Sequence, residues 1–241
     1  MNELNDFILV YYRKDFLSQY EINRNIYYPE KKIKPSIHFE LLQFCCKRIQ
    51  CVYPKCNIHI ISNENLNFKL NMKNININIH VFPDLPLDHT AKFYIYGLLD
   101  VPAMYIDNDI LIVKKFSCDH LNLKSDINLY KIDKKEFSYK NEIFVHYNAA
   151  VIYVKNPSSS IQKEIKEIHD NIFPKETNDE FALSYYIKKK NIKVSLFGEI
   201  GKGRLELKNR SELFDYQSIH YSFPKNLFKN EFYFLKNRFL M

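Results

Sequence analysis

Apolar runs alternate with segments of helical periodicity along most of this chain. Two short apolar runs, at 7–12 and 57–62, predict buried strands. Between them, apolar residues at 37–52 recur at helical spacing, and Ser36 stands where a helix cap is expected. With the irregular polar stretch at 18–35, the opening of the chain has the order strand, loop, helix, strand. That order is typical of an α/β domain.

The alternation of strands and helices continues through the rest of the chain. Strands are predicted at 75–81, 104–113, 127–132, 144–154 and 194–197, and helices at 90–99, after the capping-box pattern Ser159-x-x-Gln162, and at 177–190. No internal repeat and no long flexible linker interrupts these elements. We therefore predict one domain at 1–225, followed by a short tail at 226–241.

Two carboxylates interrupt the apolar, β-branched run at 104–113. If the run is one buried strand, Asp107 and Asp109 point to the same side and can reach one point. Two desolvated like charges are costly unless a positive charge joins them. A hard divalent cation that also contacts a phosphorylated ligand meets that need. The alternative is a solvated turn with Asp-Asn-Asp at its tip.

Three other places carry candidate binding or structural residues. Tyr11 and Tyr12 end the first strand, where a nucleotide base can stack in such folds, although strand aromatics are common there. Asn148 and Ala149 precede an apolar strand, and their small size permits close approach of a ligand. Glu180 completes a Thr-x-x-Glu capping box, so a purely structural role is open for it.

Composition narrows the partners and the compartment. The 241 residues carry a formal net charge of +7, which favours an anionic partner. The five cysteines lack the spacing of a zinc site, and reduced thiols in the cytoplasm are the expectation. No apolar run is long enough to span a membrane.

The tail at 226–241 mixes aromatic and aliphatic residues with lysine and arginine. This composition is typical of a basic amphipathic helix that contacts an anionic membrane surface. A helix packed on the domain is the alternative. The first interpretation predicts a cytoplasmic protein that associates peripherally with a membrane.

The order of these pieces resembles that of the GT-A glycosyltransferases, and within them family 8, the group of glycogenin and the bacterial lipooligosaccharide galactosyltransferases. The resemblance extends from about residue 7 to residue 225. It is carried by Ala91-Lys92-Phe93, Tyr105-Ile106-Asp107-Asn108-Asp109-Ile110-Leu111, Asn148-Ala149-Ala150-Val151, Asn178-Asp179-Glu180-Phe181-Ala182-Leu183, and His220-Tyr221 with Lys225. The sequence departs from the family at Ala150, where the family has Gly, and at Glu180, where it has Gln.

The resemblance implies a GT-A fold, with one nucleotide-sugar-binding domain and a mixed central sheet flanked by helices. It implies a retaining hexosyltransferase that uses a nucleotide-diphosphate sugar, such as a UDP-sugar, and Mn²⁺ or Mg²⁺. The acceptor would be a glycan, a lipid-linked molecule or a protein.

The resemblance also assigns roles to individual residues. Asp107, Asp109 and His220 would bind the metal ion, and Lys225 would neutralise phosphate charge. Residues that would contact the donor are Tyr11, Tyr12, Lys92, Asn108, Asn148 and Ala149. Asp179 would hold sugar hydroxyls, and Glu180 would lie near the anomeric carbon. There its carboxylate could stabilise positive charge or act as a nucleophile or base.

Two other functions are compatible with parts of the sequence. A sugar nucleotidyltransferase shares the layered α/β arrangement, but Tyr11-Tyr12-Arg13-Lys14 is not the Gly-rich loop that such enzymes place after the first strand. A basic nucleic-acid-binding module suits the net charge. The lysines are dispersed and no nucleic-acid-binding motif is visible, so no nucleic-acid partner is expected.

Overall fold

The structure, a computed structural model, describes residues 4–11, 35–66, 75–86, 89–108, 110–116, 126–176, 179–196 and 218–220. Within these ranges it describes all side chains except those of 35–38, 41, 111, 130–135 and 218–220. The chain divides into two compact units. The first comprises Met1–Ile8, Pro86–Ile106 and Phe116–Glu199, and the second comprises Leu9–Leu85, Asp107–Lys115 and Ile200–Met241.

Strands and helices alternate as the hydrophobic pattern predicts. The strands are β1 (Asp6–Tyr11), β2 (Asn57–Ser62), β3 (Asn76–Val81), β4 (Ala103–Ile106), β5 (Ile110–Ile112), β6 (Ile127–Tyr139), β7 (Glu142–Val154), β8 (Val194–Leu196) and β9 (Ser218–His220). The helices are α1 (Pro35–Val52), a 3₁₀ helix (His89–Tyr96), α2 (Ser159–Ile172) and α3 (Asp179–Lys189).

The first unit contains strands in the order β1-β4-β7-β6-β8, with β1 entering it through its N-terminal half. β4 is parallel to β1 and antiparallel to β7, while β6 is antiparallel to β7 and parallel to β8. Helix α3 packs on β7, and α2 packs on both α3 and the 3₁₀ helix. The predicted α/β class with a mixed central sheet is therefore confirmed.

The second unit contains strands in the order β3-β2-β1 and a separate two-stranded pair of β5 and β9. β2 and β3 are parallel, and β2 has the predicted bounds because its apolar residues are almost entirely buried. The four cysteines described in this unit form no disulfide in the structure. Among the described residues, no helix combines the length and apolar character that a membrane crossing requires.

The prediction of one continuous strand at 104–113 is wrong. β4 ends at Ile106, and β5 begins at Ile110 in a different sheet. Between them the amide of Ile110 donates to the backbone oxygen of Asp107 at 3.0 Å, which closes a turn. Side-chain alternation along a strand therefore does not imply that Asp107 and Asp109 point in the same direction. Asp109 itself lies outside the described residues.

Two predicted helix starts are shifted, the first by two residues and the second by one. Helix α1 begins at Pro35 and not after a Ser36 cap, in keeping with the preference of proline for the first helical position. Helix α2 is capped by Ser158, whose hydroxyl accepts from the amide of Ile161 at 3.3 Å. Ser159 is therefore already helical, and the predicted Ser159-x-x-Gln162 capping box does not form.

Two histidines on neighbouring strands of the second unit should make stability depend on pH. His59 Nδ1 and His80 Nε2 are 3.1 Å apart. Burial, and then the adjacent His59, lower the pKa of His80 below its ordinary value. At mildly acidic pH the unfolded chain then binds more protons than the folded chain. The contribution of neutral His80 to the free energy of unfolding is therefore complete above about pH 6.5 and is lost as the pH falls towards the folded-state pKa.

We expect the melting temperature of the intact chain to fall more between about pH 7.5 and pH 5.5 than that of the His80→Gln variant. Thermal unfolding of both proteins over this range measures the difference. Parallel pH profiles would contradict the expectation.

Candidate functional site

A buried ion pair marks the start of helix α3 in the first unit. Lys92 Nζ, in the 3₁₀ helix, lies 3.9 Å from Asp179 Oδ1, and the side chains are 9% and 1% exposed. Lys92 also lies over the ring of Tyr105, 5.4 Å from its centre. Charged side chains are rarely buried so completely unless they are paired. Both residues were predicted to contact the donor sugar.

Glu180 follows Asp179 and bonds to the backbone of β7. Its Oε1 accepts from the amide of Ala149 at 3.0 Å, and Ser184 Oγ, one helical turn later, accepts from the amide of Tyr147 at 3.1 Å. The pairing of β4 with β7 ends at Val151, and the amides of Ala149 and Tyr147 lie on the part of β7 that β4 does not pair with. Because alternate amides of a strand point to the same edge, two side chains four residues apart on one helix can serve both.

The second carboxylate oxygen of Glu180 faces a histidine. His146 Nε2, on β7, lies 3.3 Å from Glu180 Oε2. The imidazole packs against the rings of Phe137 and Phe181, with centroid distances of 6.2 and 5.1 Å. One oxygen of the Glu180 carboxylate therefore faces a strand amide and the other faces an imidazole in largely apolar surroundings.

Tyr96 contributes a hydroxyl to the same region. Its side chain is completely buried, and among the described residues its hydroxyl has no hydrogen-bond partner. Burial, followed by the charges of Asp179 and Glu180, raises the pKa of Tyr96 well above its ordinary value. The phenol therefore keeps its proton at neutral pH and can donate to a ligand or a water molecule.

These five side chains, Lys92, Tyr96, His146, Asp179 and Glu180, are called the polar cluster below. Asn148 and Ala149 lie beside it on β7, where Asn148 Oδ1 accepts from the amide of Ala150 at 3.0 Å. Segments that are distant in the sequence thus meet in one unit, because α3 and the 3₁₀ helix pack together next to β7. The cluster brings two carboxylates, an ammonium group, an imidazole and a phenol into one region.

The second unit contains the turn that begins with Asp107. Asp107 is half-buried, and Asn108 is held on two sides. Asn108 Nδ2 donates to the Val10 carbonyl at 2.7 Å, and the Asn108 carbonyl accepts from Cys45 Sγ at 2.8 Å. Asn108 Oδ1 is buried and has no hydrogen-bond partner among the described residues. The oxygen donors of this turn are of the type that a hard divalent cation prefers.

Helix α1 holds the chain that follows this turn. Arg48 Nε donates to the Ile112 carbonyl and Arg48 Nη2 to the Val113 carbonyl, both at 3.0 Å. Cys45 lies three residues before Arg48, so both side chains extend from one face of the helix. On β9, the backbone of His220 lies opposite Ile110, close in the chain to Asp107.

Several predicted site residues cannot be located fully. Tyr12, Asp109 and Lys225 lie outside the described residues, and of His220 only the backbone is described. Among the described side chains, no three His, Cys, Asp or Glu residues group as a metal site. The predicted metal ligands therefore stay a prediction, as does the membrane-binding role of the tail at 226–241.

Tyr11 is the remaining predicted donor contact that the structure describes. Its side chain is buried, and its ring meets the ring of Phe39 edge-on, with a centroid distance of 5.8 Å. This contact matches the alternative in which Tyr11 is a strand aromatic, while base stacking by Tyr11 stays a prediction.

Sequence reasoning did not single out two members of the polar cluster, His146 and Tyr96. Each carried a positional signal. His146 stands two residues before Asn148 and therefore on the same face of a strand. Tyr96 stands four residues after Lys92 within the same short helix.

Comparison with known proteins identifies the fold. No protein-family model and no curated protein sequence matches this chain. Among solved structures, it is similar to the apo form of the glycosyltransferase GlyE of Streptococcus pneumoniae TIGR4, with a TM-score of 0.59 and 10% identity. That match covers 92% of this chain and 55% of the GlyE chain, so this chain spans about half the length of GlyE.

Two further structures match over most of both chains. The galactosyltransferase LgtC, solved with donor and acceptor sugar analogues, has a TM-score of 0.52 and 14% identity over 91% of this chain and 87% of LgtC. A glycosyltransferase involved in the glycosylation of the major capsid of PBCV-1 has a TM-score of 0.53 and 8% identity, covering 95% and 98%. The chain has the GT-A glycosyltransferase fold that the sequence resemblance implied.

Proposed function

We propose that this chain is a metal-dependent glycosyltransferase. It transfers a hexose from a nucleotide-diphosphate donor, a UDP-sugar, to a glycan, a lipid-linked molecule or a protein. The observation that carries the proposal is the polar cluster. Lys92 belongs to one stretch of sequence and Asp179 and Glu180 to another, and they meet beside Asn148 and Ala149 on a fold shared with glycosyltransferases.

The proposed chemistry has a metal-dependent part and a sugar-binding part. A divalent ion, when bound, stabilises the negative charge of the departing diphosphate. Asp107, Asp109 and His220 are the residues that would hold Mn²⁺ or Mg²⁺, and Lys225 would neutralise phosphate charge. The oxygen donors of the turn at Asp107 and Asn108 fit such an ion.

Residues of the first unit would hold and activate the sugar. The Asp179 carboxylate can accept hydrogen bonds from sugar hydroxyls, and its pairing with Lys92 offsets part of the cost of burying it. The Tyr96 phenol supplies a donor. The Glu180 carboxylate contacts the Ala149 amide and the His146 imidazole, and it would face the positive charge that develops at the anomeric carbon. Transfer with retention of configuration is part of the proposal.

The test is release of nucleoside diphosphate from a panel of UDP-, GDP- and CDP-sugars, with Mn²⁺ and with excess chelator. We expect one donor class to be hydrolysed slowly without an acceptor, and only with the metal. Glu180→Gln is the control, because this substitution would not change the activity of a contaminating hydrolase. We expect its rate to be at least about tenfold lower.

Two outcomes would count against the proposal. One is the absence of turnover with every donor tested. The other is release of pyrophosphate from a nucleoside triphosphate and a sugar 1-phosphate, which would indicate a sugar nucleotidyltransferase.

A further inference from the structure

We propose that His146 is a positioning residue that fixes the Glu180 carboxylate for glycosyl transfer. This inference rests on the proposed function and adds a residue that the sequence resemblance did not include. Its starting point is the distance of 3.3 Å between His146 Nε2 and Glu180 Oε2.

The two contacts of Glu180 together determine its orientation. A glutamate side chain has several rotatable bonds, and holding it in one rotamer costs conformational entropy. The Ala149 amide binds one carboxylate oxygen and leaves the other able to move. An Nε2–H of His146 that donates to Oε2 restrains the second oxygen. The plane of the carboxylate is then defined before a sugar binds, and such preorganisation favours electrostatic stabilisation of a transition state.

The surroundings strengthen this hydrogen bond. The exposed fractions of the His146 and Glu180 side chains are 11% and 14%, and the rings of Phe137 and Phe181 lie against the imidazole. A hydrogen bond to an ionised group is stronger where water is largely excluded.

The other groups of the polar cluster stay in place in the experiment below. Lys92 and Asp179 belong to the same cluster, and Tyr96 interacts electrostatically with both carboxylates. On β6, Asp133 lies opposite His146 in the strand register. Since none of these groups is altered, changes at His146 and Glu180 can be compared directly.

The experiment is a double-mutant cycle on the intact chain with the donor that gives turnover. His146→Phe keeps an aromatic ring but removes the donor, and Glu180→Gln removes the charge. We expect His146→Phe to lower kcat by about 10- to 100-fold, the range for a lost hydrogen bond to a charged group. KM for the donor should change by less than about threefold. In the Glu180→Gln background, His146→Phe should lower kcat by no more than about twofold, because its target is already altered.

Two further variants separate positioning from packing. His146→Gln carries an amide donor and should recover at least about a third of the wild-type kcat. His169→Phe is the matched control, because His169 also contacts an aromatic ring and a carboxylate, those of Phe93 and Asp170, but lies outside the polar cluster. We expect His169→Phe to leave kcat within about twofold of wild type.

Unfolding in denaturant supplies a readout that does not need activity. The same four proteins of the cycle should show non-additive unfolding free energies if the two side chains interact. If His146→Phe does not fold, His146→Leu takes its place in both cycles.

The outcomes distinguish this inference from the proposed function. An active wild-type chain in which the His146 and Glu180 changes multiply independently, or in which unfolding shows no coupling, would overturn the inference alone. A folded wild-type chain without turnover of any donor would overturn the proposed function, and this inference with it.

Discussion

Replacing Asp107 by asparagine is expected to lower donor turnover by at least about a hundredfold, with loss of Mn²⁺ affinity. A metal ion at a departing phosphate supplies several kcal/mol of charge stabilisation. Loss of one carboxylate ligand from a site with few ligands directly weakens the binding of that ion. The fold should survive the change. The turn bond from the amide of Ile110 goes to the backbone oxygen of Asp107, and asparagine keeps the shape of the side chain.

The measurements are kcat over a range of Mn²⁺ concentrations, metal affinity by calorimetry with nucleotide present, and the melting temperature. Asp84→Asn is the matched control, since Asp84 is an exposed carboxylate of the same unit outside the predicted metal ligands. We expect the control to behave like the wild type. Full activity of the wild-type chain in excess chelator would refute the metal requirement.

Asp179→Asn is expected to lower the free energy of unfolding by about 3 kcal/mol, because it leaves the buried Lys92 without its anionic partner. Removing the partner of a buried charge lowers the free energy of unfolding far more than removing the partner of an exposed charge. The control pair is Lys163 and Glu167, which has the same nitrogen–oxygen distance of 3.9 Å but side chains that are 78% and 58% exposed. Glu167→Gln should cost no more than about 0.5 kcal/mol.

Denaturant unfolding of both variants tests this difference in burial. Combining Lys92→Met with Asp179→Asn should restore part of the lost stability, since a neutral pair has no buried charge to compensate. Equal losses for Asp179→Asn and Glu167→Gln would show that the first pair does not behave as a buried ion pair.

The polar cluster and the turn at Asp107 hold backbone polar groups in the same way. In the polar cluster, side chains of α3 bond to strand amides beyond the end of β4. In the second unit, Cys45 of α1 donates to a backbone carbonyl within the turn, and Arg48 donates to one after it. In both units a helix presents side chains at helical spacing to backbone groups, which lets the backbone depart from regular pairing without leaving those groups unsatisfied.

The sequence alone determined the class of the fold and most of its elements. The apolar runs at 7–12 and 57–62 predict β1 (Asp6–Tyr11) and β2 (Asn57–Ser62), and the 3.6-residue spacing at 37–52 predicts α1, because local periodicity decides which face of an element can be buried. The order of short motifs also pointed to the GT-A fold.

Tertiary structure decided where β4 ends. The run at 104–113 is apolar enough to be one strand, yet its backbone is diverted after Ile106. Val10 and Cys45, which bind Asn108, are distant in the sequence, so no local pattern signals the break. Side-chain and backbone partners from other elements outweighed local strand propensity.

Tertiary structure also decided which candidate residues meet. The chemistry of Lys92, Asp179 and Glu180 was readable from residue type and position, but the capping-box pattern gave Glu180 a sufficient local role. Only the packing of α3 beside β7 and the 3₁₀ helix brings the Glu180 carboxylate to Ala149 and His146. Such contacts depend on how helices pack against a sheet, and local sequence constrains that packing far less than it constrains secondary structure.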